Sequence, residues 1–181
     1  MHLMHVPARI ERAIEMVLGP ALQNIVTPDE QAAKKMIEYL KRTQTGRATF
    51  FPVSSMVPRT LNPRERQTLS QPGCIGVASE LVSFDGRYRN VMEYLLGRTV
   101  VVENMEAGIA LSKVNRSAFR IVTLDGDLFN AGGSMTGGSF RGKATGILSR
   151  ARELEEGKGK LDAVSYTHLD VYKRQVWINA W

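Results

Sequence analysis

Met92-Glu-Tyr-Leu-Leu-Gly97 runs almost directly into Thr99-Val-Val-Val102, and an earlier stretch repeats the pattern: Ile14-Glu-Met-Val-Leu-Gly19, then Asn24-Ile-Val26. The first pair of segments superposes at an offset of 78 residues (92 − 14), each ending on Leu-Gly. Working outward, Ile10, Ala13, Ile14, Val17 and Leu18 recur at helical spacing, which predicts a helix over Ala8–Leu18 stopped by a left-handed Gly19. Thr27-Pro28-Asp29-Glu30 reads as the next helix start, with Thr27 as cap and Glu30 completing a capping box. That helix runs to Arg42 with Ala33, Met36, Ile37 and Leu40 on its buried face, and the strand Ala48–Val53 follows. In the second copy, helix Arg89–Leu96, strand Thr99–Val102, helix Asn104–Val114 (apolar at Ala107, Ala110, Leu111 and Val114) and strand Arg120–Thr123 keep the same order. Arg47–Phe50 superposes on Arg120–Thr123 at an offset of 73 (120 − 47). Coincidence between short apolar runs is the competing explanation. The shared Leu-Gly stop and common element order favour duplication. The expected fold is α/β (α+β mixed), built as two similar small lobes of mixed sheet and helices.

Between the copies, residues 54–73 are rich in Pro, Arg and polar residues and read as a loop or linker. A strand over Cys74–Ala78 and a turn at Asp85-Gly86 come next. Asp125-Gly126 between apolar residues predicts a tight hairpin. Then Asn130-Ala-Gly-Gly-Ser-Met-Thr-Gly-Gly-Ser139 places two glycine pairs where backbone can approach backbone closely. Gly137 to Lys143 fits the G-x-x-x-x-G-K of a phosphate loop, but Ala144 stands where magnesium needs a hydroxyl, and no buried strand precedes it. Asp125 and Asp127 lack the further carboxylates of a calcium loop. With histidines only at His2, His5 and His168, no catalytic triad assembles. These residues point away from an enzyme and call for no cofactor or metal.

Composition agrees. The chain has 181 residues, 43% of them hydrophobic, enough for one domain or two lobes sharing a core. No apolar run approaches the ~20 residues that cross a bilayer, and the start lacks the regions of a secretory signal. The single Cys74 excludes an internal disulfide and reads as a small core residue; the expected location is cytoplasmic. A net charge of +6 attracts polyanions, nucleic acid first, although a cationic soluble surface would show the same value.

From Ile147 the character changes. Ile147, Ala151, Leu154, Lys158 and Leu161 step alternately by four and three, as coiled-coil core positions do, although Gly157 and Gly159 also permit a short amphipathic surface helix. Val164–Gln175 resembles translated sequencing-adapter DNA, and Val164–Trp181 is accordingly expected to be a non-native tail.

Several segments together resemble the hinge domain of bacterial structural maintenance of chromosomes (SMC) chromosome-partition proteins. They are Ala21–Val26, Gly46–Phe50, Tyr94–Gly97, Arg120–Asp127 and, most specifically, Gly132-Gly-Ser-Met-Thr-Gly-Gly-Ser139. The resemblance implies a hinge over residues 1–145, the start of a coiled-coil arm over 146–163 and the foreign tail over 164–181. It implies a homodimer in which edge strands of one subunit's lobe extend the sheet of the partner's other lobe, with Gly132, Gly133, Gly137 and Gly138 at that interface. It further implies sequence-independent DNA contact through Arg141, Lys143, Arg150 and Arg152, and a role in chromosome condensation and segregation. The family's hinge has another strand region ahead of Val6, absent here. Its ATP-binding heads, which kleisin-type subunits engage, lie outside this sequence. The alternative is a stand-alone, sequence-independent nucleic-acid-binding protein.

Overall fold

The duplicated helix–strand–helix–strand order is the skeleton of the molecule. The structure is a computed structural model and describes residues 4–138. In chain order the first part comprises β1 (Met4–His5), α1 (Glu11–Leu18), β2 (Ile25–Thr27), α2 (Glu30–Thr43) and β3 (Phe50–Pro52). A connector follows with α3 (Pro63–Gln67), β4 (Cys74–Val77), α4 (Ala78–Leu81) and β5 (Ser83–Phe84). The second part has α5 (Arg89–Leu96), β6 (Thr99–Val102), α6 (Met105–Val114), β7 (Arg120–Thr123), β8 (Leu128–Phe129) and β9 (Met135–Thr136).

Each copy is a parallel β-α-β unit: β2 pairs with β3, and β6 with β7. Asp29 and Asn104 are the equivalent N-caps, accepting the N–H of Ala32 at 2.7 Å and of Ala107 at 3.0 Å. Asp29, not Thr27, therefore caps α2: Thr27 turns its hydroxyl to the Asp29 carbonyl, and Glu30 accepts from Ser54 Oγ at 2.8 Å instead of closing a capping box. The caps set the offset at 75 (104 − 29), so Ile25 matches Val100. Because Ile25 lies opposite Phe50 and Val100 opposite Ile121, the second strands match at 71 (121 − 50), not 73. The four-residue drop is the difference between α2, with 14 residues, and α6, with 10. Residues 48–49, expected in the strand, are irregular.

The second copy is embedded in a five-stranded sheet of order β4-β6-β7-β8-β9. Val100, Val102 and Ile121 face a core completed by Leu61, Leu111, Phe119 and Phe129. Strand alternation sends Val101 and Val122 to the opposite face, where α1 packs on β7 and α4 on β6. All are fully buried, as strands covered on both faces must be. Among the described residues the first copy has only its two-stranded sheet, and β1, a short strand ahead of Val6 where the sequence predicts none, joins β5 in a separate antiparallel pair.

The expected linker is partly built. Asn62 and Glu65 form a capping box around the N1 proline of α3, and Leu61 is buried in the second core. Arg59 stacks over Tyr94, 4.6 Å from its ring centroid, while Phe51 of β3 meets the same ring at 6.0 Å. Gly19 stops α1 at φ +45°, as expected, whereas Gly97 is right-handed. Its side chain is absent for another reason: a methyl group there would collide with the Arg59 carbonyl oxygen.

Candidate functional site: an open sheet edge and its glycine turn

The glycine-rich segment forms the last hairpin of the large sheet. After Asp125-Gly126 turns β7 into β8, with Gly126 at φ +93°, residues 130–134 turn β8 into β9. The second turn closes through Gly133 N–H to the Asn130 carbonyl (3.0 Å) and Asn130 N–H to the Ser134 carbonyl (2.8 Å). Gly132 at φ +88° and Gly133 at φ +98° occupy backbone regions that side chains resist. Gly132 also donates its N–H to the Ser117 carbonyl (2.9 Å), seating the turn on the α6–β7 connection.

Strand β9 pairs with β8 on one side, Phe129 opposite Met135 and Leu128 opposite Thr136, and is the last strand of the sheet among the described residues. Directly opposed side chains share a face. Phe129 on that face is buried against Gly108, where an added methyl would lie 2.5 Å from the ring, but Met135 at the lip is 55% exposed. The opposite edge is different. Strand β4 carries a register break between Cys74 and Gly76, and such bulges blunt an edge against further pairing. Cys74, expected as a core residue, is partly buried against the core, and that burial raises its thiol above its ordinary pKa.

The four glycines have separate reasons within the chain. Gly132, Gly133 and Gly138 (φ +143°) need their positive φ. A methyl at Gly137 would strike the Asp127 carboxylate, which is pinned: Thr123 Oγ1 accepts the Asp127 N–H (3.0 Å) and donates to Oδ2 (3.2 Å). Arg141, Lys143, Arg150 and Arg152, together with the coiled-coil start and the tail, lie outside the described residues. So does most of the G-x-x-x-x-G-K match, and the residues ahead of it form an exposed edge strand. Among the described residues no three His, Cys, Asp or Glu side chains gather as metal ligands, and no helix is long and apolar enough to cross a membrane.

Pattern reading overlooks the groups that organise this region: Phe129 with Gly108, and Arg98 with Glu65. Asn62-Pro63-Arg64-Glu65 does carry a legible capping-box signal.

Comparison with known proteins places these features in context. The family model described as SMC proteins Flexible Hinge Domain matches residues 1–112. The chain is 45% identical over 157 residues to the chromosome partition protein Smc of Bacillus subtilis, covering 86% of this chain and 13% of that protein. To the Smc of Methanocaldococcus jannaschii it is 43% identical over 132 residues, covering 73% of this chain and 11% of that protein. Among solved structures, an asymmetric dimer of the Geobacillus stearothermophilus SMC hinge domain superposes with a TM-score of 0.80 at 43% identity, covering 91% of this chain and 66% of that one. The Pyrococcus furiosus SMC hinge domain gives 0.63 at 30% identity, covering 80% and 73%.

Proposed function

This chain belongs to the SMC flexible hinge domain family, and from that premise we propose that it is a dimerisation module that joins two copies of itself. One observation carries the reading. Among the described residues each chain has a surplus and a deficit: β9 offers an unpaired edge with Met135 exposed at its lip, while β2 and β3 pair only with each other. Two chains placed head to tail match both at once, which closes a two-fold pair and leaves no open series. Strand addition supplies main-chain hydrogen bonds, and the side chains on the pairing face supply selectivity. That the Geobacillus stearothermophilus hinge was solved as a dimer, an asymmetric one, supports the pairing of two chains.

The chain spans about an eighth of the curated relatives it matches, so the parent protein's work extends beyond it. In that longer setting the module would link two subunits acting in chromosome condensation and segregation, in the cytoplasm at the nucleoid. ATP binding and kleisin-type partners would belong to distant heads. We assign this chain no catalysis. Contact with DNA through Arg141, Lys143, Arg150 and Arg152 would be with phosphates, indifferent to sequence and weakened by salt.

The test is solution mass by sedimentation across a concentration series, for the chain and for Met135→Asp. The native chain should approach twice 20.1 kDa with rising concentration, and the variant, altered only at an exposed position, should stay a folded monomer. A variant that dimerises as well as the native chain would place the interface elsewhere.

A further inference from the structure

Arg98 lies between Gly97 and β6, and its guanidinium reaches three parts of the chain. It donates to the Thr60 carbonyl (3.0 Å), to both carboxylate oxygens of Glu65 in α3 (2.6 and 3.0 Å) and to the Ala118 carbonyl (3.1 Å). Its own carbonyl accepts the N–H of Arg120 (3.1 Å), which begins β7. Forked pairing of this kind fixes direction as well as distance. Most exposed ion pairs of the molecule do not resemble it: Arg66 and Glu80 meet with about half of each side chain in solvent, whereas the Glu65 side chain is 12% exposed.

The Ala118 carbonyl ends a turn with an unusual backbone. Arg116 (φ 54°) and Ser117 (φ 53°) are consecutive non-glycine residues in the left-handed region, which persists only where the surroundings impose it. Ser117 N–H donates to Ser112 (3.0 Å), the Ser112 and Ser117 hydroxyls meet at 3.0 Å, and Ala118 N–H donates to Asn115 (3.2 Å). The buried Asn115 side chain contributes nothing, its amide atoms having no hydrogen-bond partner among the described residues. Restraint from outside the turn therefore comes from Arg98, at the Ala118 carbonyl, and from the β8–β9 turn, at Ser117. It is this turn's Ser117 carbonyl that receives Gly132 N–H from the β8–β9 turn.

We infer that Arg98 is a positioning residue for the β9 edge: it clamps the connector to the strained α6–β7 turn, and that turn holds the glycine turn from which β9 departs. Its importance for self-association rests on the dimerisation reading above. Its effect on the edge itself does not. Loss of the clamp frees the Arg116–Ser117 backbone to relax, weakens the Ser117–Gly132 hydrogen bond and leaves β9 fraying while the buried strands keep their pairing.

The test uses the full chain, with Arg98→Met and Glu65→Gln as variants and Glu80→Gln as control. Amide hydrogen exchange is measured at the lowest workable concentration, and dimer dissociation by sedimentation. Arg98→Met should speed exchange over residues 132–136 on the order of tenfold, the share of one charged hydrogen bond, and leave residues 100–102 protected. Glu65→Gln should act in the same direction by less, and Glu80→Gln not at all. Unchanged exchange at the edge, or equal acceleration everywhere, would overturn the inference. If Arg98→Met does not fold, Glu65→Gln decides alone, since it removes the charge and keeps the shape. A native chain that never dimerises would sink the dimerisation reading and leave the exchange comparison standing.

Discussion

The two copies of the β-α-β unit share a scaffold and differ in what covers it. In the second copy Val100, Val101, Val102 and Leu111 are 0% exposed. In the first, Ile25 is 36% exposed, Met36 43% and Ile37 40%, although Met36 occupies the position of Leu111 at the cap-defined offset of 75 (111 − 36). The difference does not come from the repeat. Strands β4 and β8 flank β6 and β7 on their outer sides, and neither has a counterpart beside β2 and β3 among the described residues. The repeat supplies two similar platforms, and elements outside the repeated unit cover only one.

The largest expected effect tests this asymmetry directly. Leu111→Ala should cost about 2–5 kcal/mol of stability, as truncation in a sealed core does. Met36→Ala at the matching place should cost less than about 1 kcal/mol in the monomer, since much of its side chain already meets water. Urea denaturation at low protein concentration measures both. Equal costs would mean that the first copy is sealed after all. If a partner seals it, the Met36→Ala penalty should grow with protein concentration and the Leu111→Ala penalty should not.

A finer contrast lies one helical turn earlier. Gly108 on α6 and Ala33 on α2 are equivalent (108 − 33 = 75), and only Gly108 has a Phe129 ring against it. Gly108→Ala should therefore destabilise by about 1–3 kcal/mol through overpacking, despite alanine's better helix propensity. Ala33→Gly should cost about 1 kcal/mol for the propensity reason. Thermal denaturation of the two variants separates the cases. A stabilising Gly108→Ala would show that Phe129 can move aside, and β8 would then be a loose cover.

Much of the second copy is legible in the amino-acid sequence. Arg89–Leu96, Thr99–Val102 and Arg120–Thr123 have the bounds their apolar periods predict, because there each apolar position on the strands is in fact buried. The first copy misleads for the same physical reason. Ala33 is buried, but Met36 and Ile37, which share its apolar stripe, are exposed for want of a covering strand. Local chemistry is ambiguous where two residues could do one job, as at Thr27 and Asp29. Of the edge, the glycines and the hairpin turn are readable. The Arg98–Glu65 pair spans 33 residues of sequence and is not. Only the fold brings α3 against the start of β6.

The smallest expected effect concerns acid, and it sets the connector's clamp on the second copy against the first copy. Hydrogen bonds from Arg98 hold the Glu65 carboxyl below its ordinary pKa, while in the first copy the Ser54 hydroxyl lowers that of Glu30. A carboxyl depressed in the folded chain binds protons more readily when unfolded. Its contribution is thus complete above the ordinary carboxylate pKa and is lost as pH falls through the folded value. Stability should stay level on this account from neutral pH to about pH 5 and decline below it. Glu65→Gln should flatten more of that decline than Glu30→Gln, because Glu30 is exposed to water and Glu65 is partly shielded beside a forked partner. Denaturation midpoints of the two variants from about pH 6 to about pH 3, the range that brackets carboxylate titration, measure the difference. Equal flattening would place the clamp among ordinary surface pairs, and with it would go the reason to expect the β9 edge to loosen in acid before the buried strands do.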